Sequence, residues 1–310
     1  MSDICVIGSF VMDTCVDVDK FPLPGQTVIA KGVHVSAGGK GCNQCVAAAR
    51  LGADCEMIGM LGKDAAGESF LELLKEEGIQ HDHVELCDHV PTGFSQIQID
   101  ACAENKIVVV PGANYQVMPD IIDRIAKRIL HSRLIVLQME LPWDTLVSIL
   151  SFCKNHQKPV LLNPAPAKPM TFEMLDGIDY ITPNETELSI LSAMPCETKE
   201  EVQQAAISLL QQGVKHVVAT LGSKGCVIAD ADGVRFVNGY FVEVKDTVAA
   251  GDAFNGALAK GIVEGVPLDE CALFANAVGA LTVTRQGAIT SLPSQTEVEE
   301  FIRDQKQEVA

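Results

Sequence analysis

Residues 246–258 read DTVAAGDAFNGAL: an acid, a run almost without side chains, a second acid, then an apolar helical pattern. The preceding YFVEVKD (240–246) alternates like a strand, TVAAG reads as a turn, and DAFNGALAKGIVEG carries helical spacing up to Gly265. Strand, turn and helix in that order are the building unit of an α/β sheet. The first amides of a helix have no intrahelical acceptor and carry the positive end of its dipole. Ala249, Ala250 and Gly251 leave those amides unhindered, so the stretch reads as a backbone cradle for a phosphate or oxyanion. The helix terminus keeps the adjacent Asp252 ionised, suited to orienting a hydroxyl and accepting its proton late. A base beside a phosphate cradle points to phosphoryl transfer to an alcohol. The plainer alternative is that Asp252 only caps the helix.

Composition agrees with that fold class. The chain has 310 residues, 47% hydrophobic but only 5% aromatic, so its core is aliphatic, as suits a parallel sheet covered by helices. A formal net charge of −18 excludes a nucleic-acid binder, and an anionic substrate must be met by local donors. No cationic segment precedes an apolar N-terminal run, and no apolar stretch reaches the ~18 residues of a membrane span, so a cytoplasmic protein is expected. The 11 cysteines are scattered, and Cys42 and Cys45, although spaced as CxxC, lack a second ligand pair, so they read as packing residues.

ICVIGSF opens the chain as a buried strand ending at Gly8. LIVLQME, PVLLNPA, IDYITPN and HVVATLG are further strand-like runs with room for a helix between each, the rhythm of βαβ crossovers. Helices are expected at 64–79, with Asp64 as N-cap, and at 119–130, with Pro119 in the first turn. CVDVDKF (15–21), VIAKGVHV (28–35), FSQIQID (94–100) and KIVVV alternate polar and apolar residues in two separate excursions, predicting a small sheet outside the core: a lid, a dimer surface, or both.

Open parallel sheets bind ligands beyond the carboxyl ends of their strands. Glu140, Asn184 and Thr220–Gly222 fall there. SAGGKGCNQ (36–44) fits neither GxxxxGK[ST] nor GxGxxG, and its glycines would let a polyhydroxylated ligand approach the backbone, with Asn43 bonding it, or simply form a tight turn. Asp13 suits two sugar hydroxyls or a turn. Asn184 and Glu187 suit hydrated Mg²⁺ and phosphate or an ordinary helix start, and TLGSKG (220–225) offers amides or a plain strand connection.

Together GGKGCNQ, NPAPA (163–167), TPNETE, TLGSKG and DTVAAGDAFNGAL resemble the ribokinase branch of the PfkB carbohydrate-kinase family, over essentially the whole chain. The resemblance implies one α/β kinase domain over 1–310, a three-layer α/β/α fold with a mainly parallel central sheet and a β-sheet lid inserted at about 12–36 and 92–112. It implies Asp252 as catalytic base and Ala249, Ala250 and Gly251 as anion hole. Sugar positions would be Asp13, Gly39, Lys40, Gly41, Cys42, Asn43 and Glu140. Those for ATP would be Asn184, Thr220, Leu221, Gly222, Ser223, Lys224, Gly225, Gly251 and Asn276, with Glu187 linked to Mg²⁺ through water. Asp246, Val248, Thr282, Arg285, Gly287 and Ser291 would surround an activating K⁺, mostly through carbonyls. The implied reaction is ATP-dependent phosphorylation of D-ribose on its 5-hydroxyl, in a homodimer joined through the lid strands. One residue departs from the pattern: Val11 stands where bacterial ribokinases often carry Asn, which keeps deoxyribose, fructose or a nucleoside open as acceptors. A non-catalytic sugar sensor would not need the acid and cradle, and a dehydrogenase would need a dinucleotide fingerprint after the first strand.

Overall fold

A computed structural model describes residues 2–102 and 104–308; Met1, Ala103 (inside the second expected lid excursion), Val309 and Ala310 lie outside it. Nine strands form the main sheet: β1 (Ile4–Ile7), β4 (Cys55–Gly62), β5 (Val84–Cys87), β8 (Leu134–Gln138), β9 (Val160–Asn163), β10 (Tyr180–Ile181), β11 (His216–Thr220), β12 (Gly225–Asp230) and β13 (Gly233–Asn238). Their order is β13-β12-β11-β10-β9-β8-β1-β4-β5. Seven run parallel, and β12 and β13 close one edge as an antiparallel hairpin. β1 is the switch point, because the chain builds outward from it in both directions and leaves a crevice at its carboxyl end.

The buried strands are apolar because helices cover both faces. One layer packs Val6, Val136 and Val218 against Val46, Ala257 and Val278; the other packs Ile7, Leu137 and Val217 against Ile125, Ile149 and Leu209. Cys42 and Cys45 lie fully buried in the first layer as packing residues, and burial pushes both thiols well above the ordinary range. Asp64 caps its helix as expected, accepting from Gly67 N at 2.8 Å.

The four alternating segments form the separate sheet expected of them: β2 (Val11–Asp17), β3 (Gly32–Gly38), β6 (Phe94–Ile99) and β7 (Asn105–Val110), ordered β3-β2-β6-β7. Asp13 is therefore not a turn residue: it lies in β2, opposite Ser36 and Ser95. Other expectations shift. β2 starts at Val11 and β3 at Gly32, and the helix after Pro119 starts at Ile121, leaving the proline ahead of it. Residues 240–246 make no strand, because β13 already ends the sheet; they run as irregular backbone along a cavity.

Candidate active site

Two cavities open beyond the strand ends, of about 530 Å³ and 500 Å³, and share Thr220, Gly222, Thr247 and Gly251. Both therefore meet at the N-terminus of helix Ala250–Glu264. Ala249 turns into that helix in the left-handed region (φ 61°), a strained geometry for an alanine. A Cβ on Gly251 would meet nothing within 4 Å, so the space over these amides is open. Asp252 is the third residue of the helix and not its cap, so the capping alternative fails. Its Oδ2 accepts from Asn43 Nδ2 at 2.9 Å and its Oδ1 from Gln44 Nε2 at 3.0 Å.

The larger cavity collects Asp13, Gly39, Lys40, Asn43, Glu140, Asn184, Glu187, Ala249 and Asp252. Glu140 accepts from Ser9 Oγ and from Lys40 N (3.1 Å), and burial raises its carboxyl above the ordinary range. Asp13 accepts from Ser95 Oγ across the lid, and burial raises it likewise. Lys40 is the one cationic residue lining either cavity among the described residues, and the nearby Asp252 carboxylate holds its ammonium above the usual lysine range. An anion is thus met by one lysine and by backbone amides, as the acidic composition requires. Asn184 and Glu187 form a capping box, and burial raises Glu187. Both the ordinary helix start and the cavity position hold for this pair.

The smaller cavity is lined by Ser223, Gly225 and Asn276 together with Phe241, Val242, Phe254 and Ala280. Asn276 Nδ2 donates to Asn238 O at 3.1 Å. Asp246 ties two loops together, accepting from Val248 N (3.0 Å) and Gly287 N (2.9 Å). Beside it, Thr282 Oγ1 donates to Val278 O, Ser291 Oγ to Ala288 O, and the Arg285 guanidinium binds Glu297.

Four of the residues named for the sugar and ATP do not line the cavities, nor do Asp246, Thr282, Arg285, Gly287 and Ser291 of the cation loops. Cys42 and Leu221 point into the core. Lys224 lies at the surface, 3.6 Å from Glu185. Gly41 serves the protein's own packing: a Cβ there would come within 2.5 Å of Ser9 N. Conversely, Ser9, Gln44, Ser95, Gln138, Asn163, Thr182 and Asn255 escaped notice although they hold the site's carboxylates and loops. A glutamine inside the buried run LIVLQME was the available signal, since a buried amide must find partners.

A carboxylate at an open helix N-terminus, between a polar cavity under a lid and a largely apolar one, defines a small-molecule phosphotransferase of the α/β class. The chain belongs to the pfkB carbohydrate kinase family, whose pattern matches residues 1–295. It is 37% identical to a ribokinase of Bacillus subtilis over 97% of this chain and 100% of that one. It is 35% identical to a deoxyribokinase of Salmonella typhi over 97% and 98% of the two chains. Its fold matches the structure of Arabidopsis thaliana ribokinase complexed with ribose and ATP, with a TM-score of 0.91, 34% identity and coverage of 97% and 98%. No helix among the described residues is long and apolar enough to cross a membrane.

Proposed function

We propose that the chain is an ATP-dependent sugar kinase acting on the 5-hydroxyl of D-ribose, and that it works in the cytoplasm as one kinase domain with an inserted lid. The observation that carries this reading is Asp252, held by two amides at the unhindered start of helix Ala250–Glu264, where the two cavities meet. Asp13, Asn43 and Glu140 hold the sugar's hydroxyls. Asp252 takes the 5-hydroxyl proton as the bond from that oxygen to the terminal phosphorus forms and the bond to the leaving diphosphate breaks. The anion hole of Ala249, Ala250 and Gly251 stabilises the transferring group's charge. The smaller cavity, with apolar walls and Asn276, Ser223 and Gly225, suits the nucleoside of ATP, with Asn184 and Thr220 toward its phosphates. Glu187, a half-buried carboxyl on the larger cavity, fits a hydrated Mg²⁺, which would supply neutralisation of phosphate charge when bound. Asp246 braces loops whose carbonyls suit a K⁺ ion, and the Arg285 side chain, paired with Glu297, leaves only its main chain for it.

A second reading, deoxyribose as acceptor, is favoured by Val11, which is buried on the cavity wall two residues from Asp13 and offers no hydrogen bond to a 2-hydroxyl. Coupled detection of ADP with ribose, deoxyribose, fructose and adenosine, in K⁺ and in Na⁺, tests both. Ribose is expected to give the highest kcat/KM, with faster turnover in K⁺. Preference for deoxyribose replaces the first reading with the second, and equal rates in all salts remove the cation site.

The lid also suits a homodimer. Asp13 and Ser95 face the cavity, so the alternate residues Val33, Val35, Phe94 and Val108 face away, and Val33 and Val35 are 61% and 63% exposed. Apolar residues on an open sheet face suit burial against a second copy. Sedimentation should give twice the chain mass, and Val33→Lys with Val35→Lys should give monomers; a monomeric parent overturns the pairing.

A further inference from the structure

Beneath the cleft lies a chain of buried amides that the reaction as described does not use. Gln44, 1% exposed, donates both Nε2 hydrogens, one to Asp252 Oδ1 (3.0 Å) and one to Asn163 Oδ1 (3.1 Å). Its Oε1 accepts from Gln138 Nε2 at 2.7 Å. Asn163 is itself oriented, donating from Nδ2 to the main-chain carbonyl of Thr182 at 3.1 Å. The two Nε2 bonds specify one orientation of the Gln44 amide, since turning it over would set its oxygen against the Asp252 carboxylate and against the Asn163 oxygen that the Thr182 bond holds in place. Gly8 makes room for this arrangement, since a Cβ there would lie 2.3 Å from Gln138 Oε1. A second branch braces the cradle: Thr182 Oγ1 donates to Asn255 Oδ1 (2.6 Å), and Asn255 Nδ2 to Gly251 O (2.8 Å).

Asn43, the other amide on Asp252, differs. It lines the cavity, and its Oδ1 has no hydrogen-bond partner among the described residues. One amide is locked from behind and the other is free to turn toward a ligand.

We propose that Gln44 is the positioning residue of the catalytic carboxylate: it holds Asp252 Oδ1 against the protein, so that Oδ2, on the Asn43 side, is the atom that receives the acceptor alcohol's proton. The inference rests on the kinase reading above. The charged groups facing Asp252 are Lys40 from Gln44's own helix, Glu140 after β8, Glu187 on helix Glu185–Ser192 and Asp13 from the lid. Against that background the neutral Gln44 fixes geometry and adds no charge.

The test compares the parent with Gln44→Ala and Gln44→Glu, measuring kcat, both KM values, the pH profile of kcat, and the carboxyl-carbon NMR titration of Asp252 in the ligand-free protein. Gln44→Ala should lose about 10- to 100-fold in kcat, the cost of a misplaced reacting group, with the KM for ATP little changed. Gln44→Glu sets two carboxyls side by side, so the pair should keep a proton to higher pH, and the acid limb of kcat and the Asp252 titration should move up together. A kcat near the parent's in both variants, or a titration unmoved in Gln44→Glu, overturns the proposal. Should neither variant fold, Gln138→Met removes the partner of Gln44 Oε1 and loosens Gln44 from behind without touching Asp252; a smaller kcat loss with an unchanged KM for ATP supports the proposal, and a parental kcat overturns it. A parent inactive on every sugar would instead sink the kinase reading, a separate result.

Discussion

Asp252→Asn is expected to fold like the parent and to lose turnover by about a thousandfold, within the 10²- to 10⁴-fold range of removing a general base. The amides on either side explain why the fold survives. An asparagine has one oxygen and one NH₂ where the aspartate had two acceptors. Gln44 cannot turn over, because Asn163, itself held by Thr182 O, fixes it, so the new Oδ1 must face Gln44 Nε2. The new NH₂ then faces Asn43, whose unpartnered Oδ1 can swing round to accept it. The core keeps its bonds, whereas the cavity loses a proton acceptor and finds Asn43 presenting donors to the sugar. A melting temperature close to the parent's together with collapsed kcat is the expected pair of measurements. Near-parental kcat would remove Asp252 as the base.

What the sequence made legible follows from range. The strands of the main sheet showed themselves because each is a short apolar run, buried on both faces. The lid strands did so because one face stays wet. Residues 240–246 have the same alternation, Glu243 and Lys245 alternating with Val242 and Val244, but a strand also needs a neighbour, and β13 has already closed that edge. No local pattern reports that. The glycine loop was legible only in part, for a related reason. Glycine permits close approach without saying of what: Gly39 admits the main chain of Ser9 and Val11, and Gly41 that of Gly8 and Ser9, whereas Gly251 opens on empty space. The buried amides were hardest to see, since Gln44 finds its partners 94, 119 and 208 residues away. Asp252, Asn43, Asp13 and Glu140 stood out because carboxylates and an asparagine among small residues are conspicuous; what aims them is written only in the fold.

That contrast between glycines yields the other large effect. Gly251→Val should leave the melting temperature near the parent's and lower kcat/KM for ATP by about 100-fold or more, whereas Gly41→Ala, a smaller change, should destabilise the protein. Gly251 lies in helical backbone with nothing within 4 Å of a Cβ, so the fold accepts a side chain, and valine gains a few tenths of a kcal/mol in helix propensity over glycine. The added isopropyl group occupies the space over the first helical amides, between the two cavities, where the transferring phosphoryl group must sit; losing one such donor set costs about 2.7–4 kcal/mol in comparable anion sites. At Gly41 the added methyl meets main chain at Gly8 and Ser9, which can move only if β1 and helix Lys40–Arg50 separate. Overpacking of that kind costs about 1–3 kcal/mol, more than the ~1 kcal/mol of propensity that alanine regains. Calorimetric melting and ATP-dependent turnover on the two variants separate the effects. A stable, fully active Gly251→Val would mean that the phosphoryl group binds elsewhere, since no ligand could share that space with a valine.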